Sequence, residues 1–527
     1  MSAQAPSVPF ASGTRLASSL FVVLLVAGAS LRLVSLDRRP LHGDEAVGGS
    51  LAADVARTGS FLYESSNRHG PFQYFLGGFV MQRGGESDFW IRFPYALAGC
   101  LLPLALYGFR RALGDSGWLM VCSFTVFSPF FVYYSRYAIQ EIYLIVATAL
   151  LFSCGLAFAR EGRGIWLIGT LVAAAWMVTL KETFVVVWGC LAAAAAAGAV
   201  LGGRRFRDAL AAFFRKAWDR RFWMFSGAMA GALMVTAAYT DLFRNASGLR
   251  HLAANVIDML GFGASTAHAV ELHRHPIAFY LTLLARFEWL VTILGVAGVV
   301  VALRVRRPRE LFLALYALLS LAVHFALPYK TPWLLMTPLL PLTILAGVLG
   351  ARVPLRRGSA ATPVFTLVVA CVVPLALLPR TLESSFTRPA DPVLGLAYHH
   401  AGVEQIELAR QIHDVIARVA DDTTPKAMIA LPYSWPLAWY LRDESDIEYE
   451  RSAVPRDSPE HLAGIPVVVT LEGADRKFLL AFTGSESVPS FSLPDHVSRR
   501  VVLIPPDYMV GRVWIRGDLT RTAPPRD

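Results

Sequence analysis

Apolar runs alternate with short polar segments through residue 379, and their spacing predicts helices that cross a membrane. Segments 142–159, 164–180, 183–203, 222–240 and 331–351 contain no Asp, Glu, Lys or Arg, and each is close to the roughly 20 residues a helix needs to span a bilayer. The same reading gives eleven spans, near 16–36, 88–110, 117–134, 141–160, 164–180, 183–202, 222–241, 277–303, 310–327, 332–350 and 361–379. The apolar stretch 72–81 (FQYFLGGFVM) is too short to cross and is expected to lie at the outer surface or to re-enter partway. The first run is followed by Arg32 and Asp37-Arg38-Arg39 rather than by a small-residue cleavage site, so it is expected to be retained as a span.

After residue 379 the pattern changes. Residues 403–420 place Ile406, Ala409, Ile412, Val415, Ile416 and Val419 on one face of a helix. Short β-type runs follow at 427–431, 466–471 and 501–504, separated by Pro- and Asp-rich turns. The expected architecture is a polytopic α-helical membrane domain (1–379) followed by a soluble α/β domain (380–527).

Composition agrees: of 527 residues, 55% are hydrophobic and 17% charged, against roughly 25% charged in soluble domains. The net charge of +10 divides unevenly, because residues 380–527 carry 16 Lys+Arg against 21 Asp+Glu and leave +15 to the rest. That excess sits in short loops, at Arg110-Arg111, Arg160/Arg163, Arg204 to Arg221, Arg304 to Arg309 and Arg352/Arg356/Arg357. The pattern reports orientation, with the N-terminus cytoplasmic and the tail extracytoplasmic in the cell (inner) membrane, and not a nucleic-acid partner. Segments 41–87, 133–141 and 242–276 then face outward. The five cysteines all fall in apolar runs, which excludes a disulfide framework and a CxxC metal site.

Ionisable groups near membrane depth are costly and stand as functional candidates. Asp44-Glu45 lies among glycines just after the first span, and reads as a general base or metal ligand, or as the N-cap of a helix over 45–58. Arg68-His69 precedes Pro71 and the short apolar helix, where it suits either an anion or lipid headgroups. Arg136 and Glu141 flank the outer turn 133–141 and either serve a site or pair with each other. Lys181-Glu182 occupies a tight outer hairpin. Tyr329-Lys330-Thr331-Pro332-Trp333 offers a cation for phosphate beside aromatic residues of the interfacial type. Taken singly, each cluster has a plain structural explanation. Together they fall on one side of the membrane, where acids and cations can serve a lipid phosphate and a hydroxyl acceptor at once.

These motifs carry a family resemblance. HGDEA after the first span, RHGPFQYFLGG, SRYAIQE, the Lys-Glu turn and YKTPW resemble the membrane half of the GT-C glycosyltransferases, a superfamily that includes protein O-mannosyltransferases and the aminoarabinose transferases of lipid A. With the tail motif SWPLAWYLRD, the chain is most similar to the flippase-activity-associated proteins of N-glycosylation. The resemblance implies a polyprenyl-phosphate-sugar donor in the membrane lipid and a glycan, lipid or protein acceptor outside the cytoplasm. It implies Asp44 as base or acceptor-orienting acid, with Glu45 beside it and Glu141 loosely matching a second external-loop acid; the one-sided clustering itself puts Arg68, His69, Arg136 and Lys330 at the donor phosphate, with Glu141, Glu182, Tyr329 and Trp333 in support. A divalent cation is an open alternative. Trp435, Trp439 and Tyr440 are candidates for stacking on sugar rings, or else form a piece of core or a lid against the bundle. A non-catalytic flippase or transport component is the alternative function; it predicts charges spread through the span interiors.

Overall fold

The computed structural model describes residues 13–64, 69–261, 272–352, 361–419, 425–505 and 508–520. Helix α1 (Gly13–Leu33) is followed by α2 (Gly43–Thr58), α3 (Phe72–Gly84), α4 (Asp88–Ala105), α5 (Arg110–Phe127), the short α6 (Pro129–Ser135) and α7 (Glu141–Glu161). Next come α8 (Gly164–Val178), α9 (Phe184–Leu201), the amphipathic α10 (Gly203–Asp219), α11 (Arg221–Tyr239) and α12 (Ser247–Gly261). The helical part ends with α13 (Ile277–Phe287), α14 (Trp289–Val305), α15 (Pro308–Ala326), α16 (Met336–Gly350) and α17 (Ala361–Leu382).

Among the described residues, six helical stretches are long and apolar enough to cross a membrane, or seven if the α13–α14 pair, bent by 105°, counts as one. Two shorter apolar helices, Ala17–Leu33 and Gly164–Val178, join them. Helix α3 has 13 residues, about 20 Å at 1.5 Å per residue, short of the bilayer core as its sequence suggests.

Loops that are basic in the sequence meet at one end of the bundle. Arg111 pairs with Glu161 at 2.5 Å, Lys216 Nζ donates to the Ala159 carbonyl at 2.8 Å, and Arg352 pairs with Glu310. The other loops meet at the opposite end, where isolated bridges join His69 to Lys181 and Arg274 to Tyr329.

The tail folds into a five-stranded sheet of order β2-β1-β3-β5-β4, with β1 at Ala427–Ala430, β2 at Ile447–Glu450, β3 at Val467–Ala474, β4 at His496–Ile504 and β5 at Met509–Arg516. Strand β1 runs parallel to β2 and β3, while β5 is antiparallel to β3 and β4. The amphipathic helix appears as α18 (Glu404–Ile416), burying Leu408, Ala409, Ile412, Val415 and Ile416. Strands β2 and β5 were not among the sequence expectations. Edge strand β2 is largely solvent-facing, and β5 carries a glycine and two arginines in an otherwise apolar run.

Candidate functional site

Helix α2 begins where the loop after α1 turns back over the bundle. His42 is its N-cap: the His42 ring accepts from the Asp44 amide at 3.0 Å, and Glu45 accepts from the His42 amide at 2.9 Å, closing a capping box. Asp44 is therefore not the cap. The two adjacent carboxylates part ways at this first turn.

Glu45 points inward and is fully buried. Its Oε1 accepts from Arg92 Nε (2.7 Å), the Ala138 amide (2.9 Å) and Arg39 (3.1 Å), and its Oε2 from Arg92 (2.9 Å) and Arg39 (3.2 Å) as well as His42. Burial alone would raise its pKa, but Arg39 and Arg92 overcome that and hold it far below the usual carboxylate range. With both oxygens occupied, Glu45 has no lone pair placed for an acceptor proton. The sequence expectation of a catalytic role becomes a positioning one.

Asp44 points outward, with its side chain 53% exposed and Oδ2 3.7 Å from His42 Nδ1. Burial lowers the His42 pKa, so the neighbour is a neutral ring rather than an ion-pair partner. Asp44, His42 and Gly43 form part of the wall of a cavity of about 170 Å³. Tyr329, Trp333 and His273 from the helical half line it too. Tyr398 and His399 come from the connection after α17; Tyr433, Trp435, Phe482 and Tyr508 come from the tail. The tail can approach this closely because residue 43 is glycine: a Cβ there would lie 2.0 Å from the Tyr433 hydroxyl. His399 stacks between Tyr398 and Tyr508, with ring centroids 4.0 and 3.9 Å away. His273 and His275 both hydrogen-bond the Tyr398 hydroxyl, at 2.9 and 2.8 Å.

The remaining candidates sit behind or beside this cavity. Glu141, expected to pair with Arg136 if with anything, instead bonds Lys181, and both are buried. Glu182 lies 3.5 Å from His69; His69 and Lys181 hold its carboxyl below the ordinary value against the effect of burial. Tyr329 connects this layer to the cavity. Burial, together with Asp44, Glu141 and Glu182, pushes its phenol well up against the opposing pull of Lys181. The acids and bases of these separate turns thus surround one tyrosine, although only Asp44 among them reaches the cavity wall.

Several expectations need correction. Arg136 donates to the carbonyls of Leu31, Arg32, Val34 and Ser35 at the end of α1, so its guanidinium is spent on a helix terminus and is unavailable to a donor phosphate. Lys330 Nζ donates to the Leu327 carbonyl and is buried, beside the cavity rather than on its wall. Trp439 Nε1 and the Tyr440 hydroxyl both donate to Asp88 at 3.2 Å, and the same hydroxyl accepts from the Leu41 amide at 2.8 Å. These two side chains dock the tail on the bundle, and Trp435 is the one of the three aromatic candidates left to face a ligand. Arg68 lies outside the described residues. The arginines take both Glu45 oxygens, and among the described residues no three His, Cys, Asp or Glu side chains converge to hold a metal.

Sequence reasoning missed Arg39, His42, His273 and His399 as site residues, and placed Lys181 in a candidate hairpin without giving it a role. His42 stood inside the HGDEA motif and Lys181 beside Glu182, so both were in view. His399 belongs to a Tyr-His-His run with no periodic signal, and only the folded chain brings it to the cavity.

Residues 68–214 match a family model described as dolichyl-phosphate-mannose-protein mannosyltransferase. No curated protein matches the chain by sequence. The crystal structure of ArnT from Cupriavidus metallidurans bound to undecaprenyl phosphate is similar with a TM-score of 0.60 and 14% identity, over 97% of this chain and 100% of that one. Its apo state gives 0.59, again at 14% identity, over 96% and 100%. The archaeal oligosaccharyltransferase AglB from Archaeoglobus fulgidus, in complex with an inhibitory peptide and a dolichol-phosphate, gives 0.51 at 12% identity, over 86% of this chain and 69% of that one. Identities this low speak for the fold, and the resemblance read from the motifs to the GT-C superfamily is borne out at that level.

Proposed function

We propose that the chain is a membrane glycosyltransferase that moves a sugar from a polyprenyl-phosphate donor to a hydroxyl of a glycan, lipid or protein acceptor at the extracytoplasmic face. The observation that carries this reading is Asp44: an accessible carboxylate, hydrogen-bonded to no described residue, on the wall of a cavity built jointly by the bundle loops and the tail. The lipid carriers bound in ArnT and AglB support the donor class. At about 170 Å³, the cavity is smaller than the roughly 300–1,000 Å³ of pockets for drug-sized ligands and suits a single sugar unit between its aromatic walls.

In the proposed step Asp44 takes the acceptor hydroxyl proton, the acceptor oxygen attacks the anomeric carbon, and the bond to the lipid phosphate breaks with its electron pair leaving on the phosphate oxygen. Attack from the face opposite the phosphate inverts the centre. We place the phosphate along the strip where His69 bridges Lys181 and Arg274 bridges Tyr329, next to Lys330. Glu45 fixes the turn that presents Asp44. The eleven-span topology, a boundary near residue 379, a cytoplasmic N-terminus and an outer tail in the cell membrane belong to the same proposal, supported by the gathering of basic loops at the end opposite the cavity.

The transport alternative asks for charges that can shift along a pathway. Instead, the interior groups Arg32, Arg92 and Glu45 are held by several fixed partners each, and His324 bonds its own helix at Ser320. The test uses full-length protein in vesicles supplied with a polyprenyl-phosphate sugar and a soluble hydroxyl acceptor. Sugar transfer by the wild type, lost in Asp44→Asn at equal protein level, is the expected result. Movement of the lipid-linked sugar across the vesicle with its phosphate–sugar bond intact would overturn it.

A further inference from the structure

Beneath the cavity, four arginines crowd around one carboxylate. Arg32 and Arg92 are fully buried, and Arg39 and Arg136 are 6% and 7% exposed. Among the described residues, Glu45 is the one acid bonded to any of them, through Arg39 and Arg92. Arg32 donates to Ser135 and to the carbonyls of Gly28, Thr125 and Val126, and Arg136 donates to carbonyls alone. Asp37 acts on Arg136 from an exposed position, and Asp88, held by Trp439 and Tyr440, offsets part of the Arg92 charge. Carbonyl dipoles solvate a guanidinium without neutralising it, so this layer keeps an excess of positive charge in a medium where unpaired charge is costly.

A second cavity opens in this layer. It measures about 10 Å³ and is lined by Leu36, Arg39, Tyr133, Arg136 and Ser385, roughly the space of one small particle. Two donors on its lining residues have no hydrogen-bond partner, Arg39 Nε and Ser385 Oγ, and both residues are more than nine-tenths buried. The Tyr133 hydroxyl gives its proton to the Pro389 carbonyl, which leaves its oxygen and that of Ser385 as the side-chain acceptors on the lining. What distinguishes an anion from a water here is the uncompensated charge of the arginines, and an anion needs donors alone.

We propose that this cavity binds one monatomic anion, a halide of the chloride type. The space excludes a phosphate, and the ion supplies negative charge where the protein does not. It ties the segment after α17, which carries Ser385, to Arg39, and Arg39 in turn holds Glu45 and the first turn of α2. The inference does not depend on the transferase reading.

The test is thermal unfolding of the full-length protein in detergent, in sodium chloride or bromide against sodium gluconate at equal ionic strength. The halides are expected to raise the midpoint saturably, by about 1–3 °C, and gluconate to leave it unchanged. Ser385→Leu fills the space and abolishes the halide response; Ser385→Ala, which removes one donor and no bulk, shifts the response to several-fold higher halide. Crystals grown in bromide show an anomalous peak between Arg39 and Ser385. Equal midpoints in all three salts, a halide response undiminished in both variants, or an ordered water without anomalous signal at that position would each overturn the proposal.

Discussion

Asp44 and Glu45 are the same chemistry one residue apart, yet they face two unlike regions. On one side lies a cavity walled by aromatic rings and neutral histidines; on the other lies a buried layer of arginines. A carboxylate with open lone pairs is placed for proton transfer, whereas one accepting six hydrogen bonds is a structural rivet. What separates base from brace here is the occupancy of the oxygens, and no property of the residue type reveals it.

The contrast breaks most visibly at Glu45. Glu45→Gln removes the counter-charge of two buried arginines, and the expected cost is about 3–5 kcal/mol of stability, read as a collapse in folded yield and in the unfolding midpoint. Should Glu45→Gln fold normally and fail only in catalysis, the two roles would have to be exchanged. Asp44→Asn is expected to lower sugar transfer by about 10²–10⁴-fold while leaving the unfolding midpoint in place, so paired activity and melting curves separate the two regions. A smaller effect is expected at the docking contact between bundle and tail. Tyr440→Phe deletes the hydroxyl shared by Leu41 and Asp88, at about 1 kcal/mol, and should speed proteolytic release of the tail with little change in the bundle.

The gentlest probe is pH. Burial lowers the pKa of His273 to about 4 and that of His399 to about 2, below the unfolded value of about 6.5. Between those limits the unfolded chain binds more protons, so stability is fully present above about pH 6.5 and falls as the pH drops toward the folded values. Protection factors around Tyr398 and Tyr508, with exchange corrected for its intrinsic pH dependence, should therefore fall between pH 7 and pH 5, and His273→Gln should flatten that response. Protection factors indifferent to pH would mean that the histidines do not seal the cavity between the two halves.

Much of this molecule was legible before folding. The helical and α/β parts, the short α3, the amphipathic α18 and the clustering of HGDEA, the Lys-Glu turn and YKTPW at one end of the bundle follow from hydrophobic period and charge, which are local and additive along a chain. The sequence also brought Asp44 into view. It could not separate Asp44 from Glu45, because direction at the first turn of α2 depends on Arg39, Arg92 and the Ala138 amide, the last supplied from 93 residues away. Nor could it foresee that Arg136 would be spent on the end of α1, or that Trp439 and Tyr440 would grip Asp88, more than 350 residues earlier. Hydrophobic pattern selects which segments are buried; hydrogen-bond saturation of charged groups is a property of three-dimensional neighbours, and only the tertiary structure decides it.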